Sequence, residues 1–198
     1  WGFVSNRFCL DNYPQEYPSY GYSDLRNPAY QVVNKFGNAV SRLAVKDYII
    51  HNECAVQTDG MPCLFNKNKK ADTLEVVLYD EIIDLEAHLY YTVFDEYNII
   101  ARHTVIINKS DSDIKLLSAY SASIDLPMDD YEMIHFAGSW GRERAMHRTK
   151  LEMGMKAEVE NARGGSGPQL NPFSMITSVG TDETHGEVYG FSLVYSGN

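Results

Sequence analysis

Carboxylates are the first side chains to consider as a source of chemistry in this sequence. The chain has 27 acidic residues among 198, and glycoside hydrolysis depends on a positioned pair of them. Two adjacent pairs occur, Asp129-Asp130 and Asp182-Glu183. Neighbouring carboxylates in polar loops are usually solvated, and with so many acidic residues no pair stands out. The sequence therefore predicts no catalytic residue.

The histidines, cysteines and glycines show none of the spacings typical of metal, redox or phosphate sites. No H-x-x-x-H pair occurs, and Cys9, Cys54 and Cys63 match neither a zinc pattern nor C-x-x-C. Residues 163–168 are glycine-rich but lack the Gly-Lys-Ser/Thr end of a phosphate loop, and no G-x-S-x-G elbow is present. We expect no metal ion and no cofactor. Unpaired thiols suit a reducing cytoplasm, and we predict that location.

The densest candidate segment is residues 135–144, HFAGSWGRER. Two glycines flank Trp140, and Arg142 and Arg144 bracket a glutamate, which predicts an ion-pair network. One interpretation is the rim of a sugar site or an interdomain contact; the other is a strand corner with a buried tryptophan. We keep Trp140, Arg142 and Arg144 as candidates for the interdomain contact.

A second candidate segment is the loop of residues 11–27, which is rich in tyrosine, proline and glycine. Tyrosine rings can stack while their hydroxyls form hydrogen bonds, which suits contacts with sugars or proteins. The alternative is a loop that folds back on its own sheet.

Period-2 alternation dominates the elements that must position these segments. Residues 85–93 and 99–107 alternate around a polar break and predict a β-hairpin, with His88 on the polar face and His103 as a hydrogen-bonded structural histidine on the apolar side. Residues 114–126 read as a third strand of the same meander. Further strands are predicted at residues 39–50, 74–78, 151–160 and 188–195. Strands in series with little helix predict antiparallel sheets in a sandwich or barrel.

Charge and hydropathy exclude several partners. The net charge of −10 repels phosphate backbones, so we expect neither nucleic acid nor an anionic membrane as a partner. No apolar run approaches the roughly 20 residues that cross a bilayer. The start lacks an initiator methionine and a signal peptide, and the end stops after a strand. We therefore expect residues 1–198 to be a single domain, truncated at both ends from a larger protein.

Four strings in order resemble the N-terminal domain of α-galactosidases of glycoside hydrolase family 36. They are the residue 135–144 segment, Arg163-Gly164-Gly165-Ser166, Asn171-Pro172-Phe173, and residues 185–198, HGEVYGFSLVYSGN. The early string YPSYGYSDLRNPA, residues 17–29, is similar to the same family. The resemblance spans nearly the whole chain.

This resemblance implies an all-β fold, a large antiparallel β-supersandwich of the galactose mutarotase-like kind. In the family a (β/α)₈ barrel follows and holds two aspartates for retaining hydrolysis of terminal α-galactosides such as melibiose and raffinose. The implied partners are that barrel, an α-galactoside oligosaccharide and the other subunits of a cytoplasmic homotetramer. Asp24 and Arg26 match the early loop motif and are implied to lie at the substrate rim of a neighbouring subunit.

Three functions are thus in competition. The first is a non-catalytic accessory domain of an α-galactosidase, inactive alone, that serves architecture and oligomerisation. The second is an independent carbohydrate-binding module. The third is a free-standing sugar-processing enzyme such as a mutarotase, which needs histidines and carboxylates that converge in one site; the sequence shows no such pattern.

Overall fold

The computed structural model describes residues 10, 13–21, 24–54, 60–62, 64, 71–127, 130–161, 163–165 and 167–194. They divide into two compact units, residues 1–56 with 64–126 and residues 57–63 with 127–198. Asp95–Tyr97 forms a short 3-10 helix. The described residues contain no α-helix. The strands are β1 (Tyr30–Val33), β2 (Ala44–His51), β3 (Asp72–Asp80), β4 (Leu85–Phe94), β5 (Ile99–Asn108), β6 (Lys115–Ala119), β7 (Tyr131–Ser139), β8 (Arg142–Lys150), β9 (Leu170–Ser178) and β10 (Val188–Ser192).

The first unit contains an antiparallel four-stranded sheet in the order β2-β3-β4-β5 and a separate two-stranded sheet of β1 and β6. The predicted hairpin is confirmed, because β4 and β5 pair along their whole length from Leu85↔Asn108 to Phe94↔Ile99. The predicted strands at residues 39–50 and 74–78 correspond to β2 and β3, with different ends.

The core of the first unit lies on one face of β4. Leu85, Ala87 and Leu89 alternate along the strand and are buried against Tyr30 and Val32 of β1. Period-2 geometry places all three on the same side of the sheet. Apolar burial at about 25 cal/mol per Å² makes this cluster a main source of the unit's stability.

The predicted three-strand meander is wrong at its third strand. β6 ends at Ala119 and pairs with β1, from Tyr30↔Ala119 to Val33↔Lys115, and does not extend the sheet beside β5. The polar turn before β6 explains the departure. Asn108 Nδ2 donates to the Ser112 carbonyl at 2.8 Å, and Asn108 Oδ1 accepts from the Ser110 amide and hydroxyl. This turn ends β5 and directs the chain away from the sheet edge.

The second unit is a four-stranded antiparallel sheet in the order β10-β9-β7-β8. The predicted strand at residues 151–160 is wrong: the Met155 amide bonds the Glu152 carbonyl, and Gly154 has φ +79°. This turn interrupts the extended backbone that the alternation predicted. The strand predicted at residues 188–195 is confirmed as β10 for its first five residues.

Some sequence predictions concern residues outside the described part of the chain. These are Cys9, Cys63, Asp129, and parts of the early loop, of the glycine-rich stretch and of the final string. Cys54 is described and is a free thiol. Among the described residues, no helix has the length and apolar character that a bilayer crossing requires.

Candidate functional site

Asp24 and Arg26 lie together in the early loop and form an ion pair. Arg26 Nε donates to Asp24 Oδ1 at 2.9 Å, and one terminal nitrogen donates to Asp125 at 2.6 Å. The other terminal nitrogen donates to the carbonyls of Leu10 at 3.0 Å and Tyr13 at 2.5 Å. The guanidinium therefore uses four of the roughly five N–H donors that an arginine has.

This ion pair shapes the loop around it. Asp24 Oδ1 also accepts the Arg26 backbone amide at 3.1 Å, and the Asp24 side chain is buried. Leu25, between the two, is 83% exposed. The contacts hold the backbone in one conformation and direct Leu25 to solvent, so most of the hydrogen-bonding capacity of Arg26 is used inside its own loop.

Trp140 lies at the tip of the β7–β8 hairpin and is 93% exposed. The interpretation as a strand corner with a buried tryptophan is therefore wrong. Gly138 permits the tight tip, since a Cβ there would lie 2.0 Å from the Arg142 carbonyl oxygen. Gly141 has φ +76°, a region that favours glycine. These two glycines present the indole outward on a defined turn.

Arg142 and Arg144 do not form the predicted ion-pair network with Glu143 in the described part of the chain. Arg142 Nε donates to the Ser139 hydroxyl at 3.3 Å, and Glu143 accepts the Gly141 amide at 2.8 Å. That backbone hydrogen bond lowers the pKa of Glu143 below its usual value. The short turn brings the carboxylate to a backbone donor. Among the described residues, the Arg142 side chain has one hydrogen bond, to Ser139, and the Arg144 side chain has none.

A polar network that sequence reasoning missed lies on the first unit's sheet, on the face opposite the core. Glu75 accepts hydrogen bonds from His51 Nε2 at 2.8 Å, His88 Nδ1 at 2.6 Å and the Tyr90 hydroxyl at 3.0 Å. The register explains the convergence, because Glu75 is paired with Tyr90 and Val77 with His88. Three strands thus contribute to one carboxylate.

A second carboxylate, Glu86, extends the network along β4. Lys46 Nζ lies 2.6 Å from Glu86 Oε1, and His88 Nε2 and Lys109 Nζ lie 3.4 and 3.6 Å from Oε2. The hydrogen bond from Lys46, against the cost of desolvation, lowers the pKa of Glu86 to about 2. A pKa this low keeps Glu86 ionised at neutral pH.

The pKa values in the rest of the network follow from burial and hydrogen bonding. Desolvation opposes ionisation of Glu75, but the hydrogen bonds from His88, His51 and Tyr90 outweigh it and lower the pKa of Glu75. Desolvation and the adjacent Glu75 raise the pKa of Tyr90 to about 12. His103 stacks on Tyr90 with centroids 4.4 Å apart, and desolvation lowers the pKa of His103. The sequence predicts a hydrogen-bonded His103. In the described part of the chain, the contact of the His103 ring is the stacking on Tyr90.

The network brings histidines and carboxylates together, as a sugar-processing site would require, but its polar atoms are largely engaged with one another. Glu75 has three donors, and both nitrogens of His88 face carboxylates. Such mutual satisfaction is typical of a network that stabilises a sheet. Within the described ranges, no group of three or more His, Cys, Asp or Glu side chains is arranged to bind a metal ion.

Comparison with known proteins places this architecture in one family. The alpha-galactosidase AgaA of Geobacillus stearothermophilus is 44% identical over 192 residues, which are 96% of this chain and 26% of AgaA. The bifunctional alpha-galactosidase/sucrose kinase AgaSK of Mediterraneibacter gnavus is 38% identical over 195 residues, 98% of this chain and 21% of AgaSK. The chain thus spans about a quarter of the length of these curated relatives.

Solved structures agree. The crystal structure of the GH36 alpha-galactosidase AgaB from Geobacillus stearothermophilus is 44% identical, with a TM-score of 0.89 over 96% of this chain and 26% of that one. A variant of AgaA in complex with raffinose has a TM-score of 0.90 at the same identity and coverage. The likeness confirms the predicted all-β, antiparallel β-sandwich class. Since the glycosyl hydrolase family 36 N-terminal domain matches residues 3–198, the chain belongs to that family as its N-terminal domain.

Proposed function

We propose that this chain is the non-catalytic accessory domain of a retaining α-galactosidase, in which a separate (β/α)₈ barrel hydrolyses terminal α-galactosides such as melibiose and raffinose. The observation that carries the proposal is the match of residues 3–198 to the N-terminal domain of the family. The coverage supports it, because relatives named alpha-galactosidases are about four times as long as the matched region.

The direct test is hydrolysis of a chromogenic α-galactoside by this chain alone and by the full-length enzyme. We expect no turnover by the chain and turnover by the enzyme. Turnover by the isolated chain that survives rigorous purification would contradict the accessory role.

The proposal includes a single functional domain, although the contacts divide the chain into two compact units. One family domain covers both units, which supports this view. It also includes a cytoplasmic homotetramer as the parent assembly. Analytical ultracentrifugation of the full-length enzyme tests the tetramer, and fractionation of the source cells tests the compartment.

We propose that Trp140, Arg142 and Arg144 form the interdomain contact between this domain and the catalytic barrel. The exposed indole supports this role, because rigid aromatic and arginine side chains dominate the binding energy of interfaces. Trp140→Ala in the full-length enzyme should weaken this docking and lower the sedimentation coefficient, because an undocked domain makes the enzyme less compact. Met153→Ala is the control, since Met153 is also almost fully exposed. Equal sedimentation of the Trp140→Ala variant and wild type would remove Trp140 from the contact.

Asp24 and Arg26 are proposed to act at the substrate rim by holding the early loop in place. The internal hydrogen bonds of Arg26 support positioning over direct contact with sugar. In the full-length enzyme, Arg26→Ala should raise KM for raffinose more than it lowers kcat, and should also lower the Tm. Leu25→Ala is the control for the same loop. Unchanged kinetics for Arg26→Ala would remove both residues from the rim.

The alternative function is an independent carbohydrate-binding module. A specific feature favours it, namely that Trp140 is exposed beside Arg142 and Arg144, whose side chains make a single hydrogen bond within the described residues. Calorimetry of the isolated chain with galactose, melibiose and raffinose distinguishes the two. Binding at millimolar concentration or tighter, lost in Trp140→Ala, would favour the module; no binding favours the accessory domain.

A further inference from the structure

Two imidazole rings lie side by side on the second unit's sheet. His135 of β7 and His147 of β8 are paired directly across the antiparallel ladder. Their ring centroids are 5.2 Å apart and the ring planes differ by 18°. His135 is half-buried, whereas His147 is exposed on the edge strand of the sheet. The pair is thus held by strand register and is open to solvent.

Within the part of the chain that the structure describes, the ring nitrogens of this pair are unengaged, unlike those of most other histidines. His51 and His88 bond Glu75, and His185 Nδ1 lies 3.0 Å from Asp182. Among the described residues, neither His135 nor His147 has a hydrogen bond or an ion pair to its ring. Two imidazole rings without hydrogen bonds to other described residues therefore lie side by side.

We propose that His135 and His147 bind one borderline divalent cation, such as Zn²⁺ or Ni²⁺, through one ring nitrogen each. Imidazole is a preferred ligand for these ions. Metal–nitrogen distances of about 2.0–2.1 Å require the two nitrogens to lie within about 4 Å of each other. The ring centroids are 5.2 Å apart, so rotation of the two side chains must turn the ring edges, which carry the nitrogen lone pairs, toward one ion. Water completes the coordination, because the site offers only two protein ligands.

A bound ion would link β7 to the edge strand β8 within the hairpin whose tip carries Trp140. Cross-strand linkage stabilises the folded state, because the ion binds the native pair and not the unfolded chain. The site therefore couples cation binding to the stability of the hairpin. This inference does not depend on the proposed galactosidase function.

The test is calorimetric titration of the untagged chain with NiCl₂ and with ZnCl₂, together with the shift of Tm. We expect one ion per chain in the micromolar range, a higher Tm with metal, and at least tenfold weaker binding in His135→Ala and in His147→Ala. His185→Ala should bind as wild type does. Circular dichroism of each variant establishes that its sheet is intact.

A second measurement separates these imidazoles from the cysteine thiols. Electron paramagnetic resonance of the Cu²⁺-loaded chain should show nitrogen coupling in wild type that is lost in the His135→Ala/His147→Ala double variant. No binding by wild type at millimolar metal would overturn the proposal. So would a double variant that keeps the nitrogen coupling, or a loss of affinity in His185→Ala equal to that in His147→Ala.

Discussion

Histidine side chains make different contacts in the two four-stranded sheets of this chain. In the β2–β5 sheet, His51 and His88 contact Glu75, whose pKa they lower together with Tyr90. In the β7–β10 sheet, His135 and His147 contact each other. The two sheets also differ in burial, since twelve of the thirteen buried apolar residues of the described chain belong to the first unit and Ile134 alone to the second.

This difference shows that the role of a histidine is set by the side chains that strand register brings next to its ring. A carboxylate diagonal to the ring on the neighbouring strand, as Glu75 is to His51 and His88, engages the ring nitrogens in a closed network that stabilises a sheet. A second imidazole beside the ring leaves the nitrogens of both rings without hydrogen bonds to other described residues, as the proposed metal site requires. The sheet that packs on the buried core thus holds the satisfied network, and the sheet of the second unit holds the histidine pair.

The largest expected effect tests the difference in burial. Leu89→Ala removes a side chain that is 1% exposed and should lower the free energy of unfolding by about 2–5 kcal/mol. Met146→Ala on the exposed strand β8 is the matched control and should cost about 0.5 kcal/mol or less. Urea denaturation followed by circular dichroism measures both. Equal losses would show that the two sheets are equally packed.

The next prediction tests the network. Glu75→Gln keeps the size of the side chain but removes the charge that three donors satisfy, and should cost about 1–3 kcal/mol of unfolding free energy. Glu158→Gln is the control, because its pair with Lys156 is exposed and is worth about 0–1 kcal/mol. If both variants unfold at the same urea concentration as wild type, the network does not stabilise the sheet.

A third prediction concerns the hairpin of the second sheet. Gly138→Ala places a Cβ about 2.0 Å from the Arg142 carbonyl oxygen, so the tip must shift at a cost of about 1–3 kcal/mol. Gly165→Ala is the control, since nothing lies within 4 Å of its Cβ position. Urea denaturation measures the loss. A Gly138→Ala variant as stable as Gly165→Ala would mean that the tip adapts freely.

The smallest expected effect is the acid response of the network. Because Lys46 lowers the folded-state pKa of Glu86 to about 2, its stabilising contribution is complete above the ordinary glutamate pKa of about 4.3. The contribution is lost as the pH falls from about 4.3 towards 2. The Tm difference between wild type and Glu86→Gln should therefore be constant from pH 7 to 5 and shrink below pH 4. A difference that grows with acid would reverse the assigned sign.

The sequence predicted β4 correctly, because this strand buries a single apolar face. The alternation in residues 85–93 identified β4 and its buried side, Leu85, Ala87 and Leu89. It failed at residues 151–160, where the same alternation occurs without a partner strand and Gly154 makes a turn. It also failed for β6, because alternation does not specify the neighbour with which a strand pairs.

For the candidate sites, local motifs located Asp24, Arg26 and Trp140 but not their surroundings. Long-range contacts supplied those, such as Arg26 to Asp125, 99 residues away. The exposure of Trp140 depended on the tight hairpin that Gly138 permits. Both features depend on how the chain folds back on itself, which residue spacing alone does not describe.

The amino-acid sequence by itself determined the all-β class, the β4–β5 hairpin and the family, because period-2 alternation and ordered motifs are local properties of a chain. Only the tertiary structure decided which polar residues meet. Glu75 lies 24 residues from His51 and 13 from His88, and His135 lies opposite His147 across a hairpin. The physical reason is strand register, since inter-strand hydrogen bonding selects which side chains lie opposite one another.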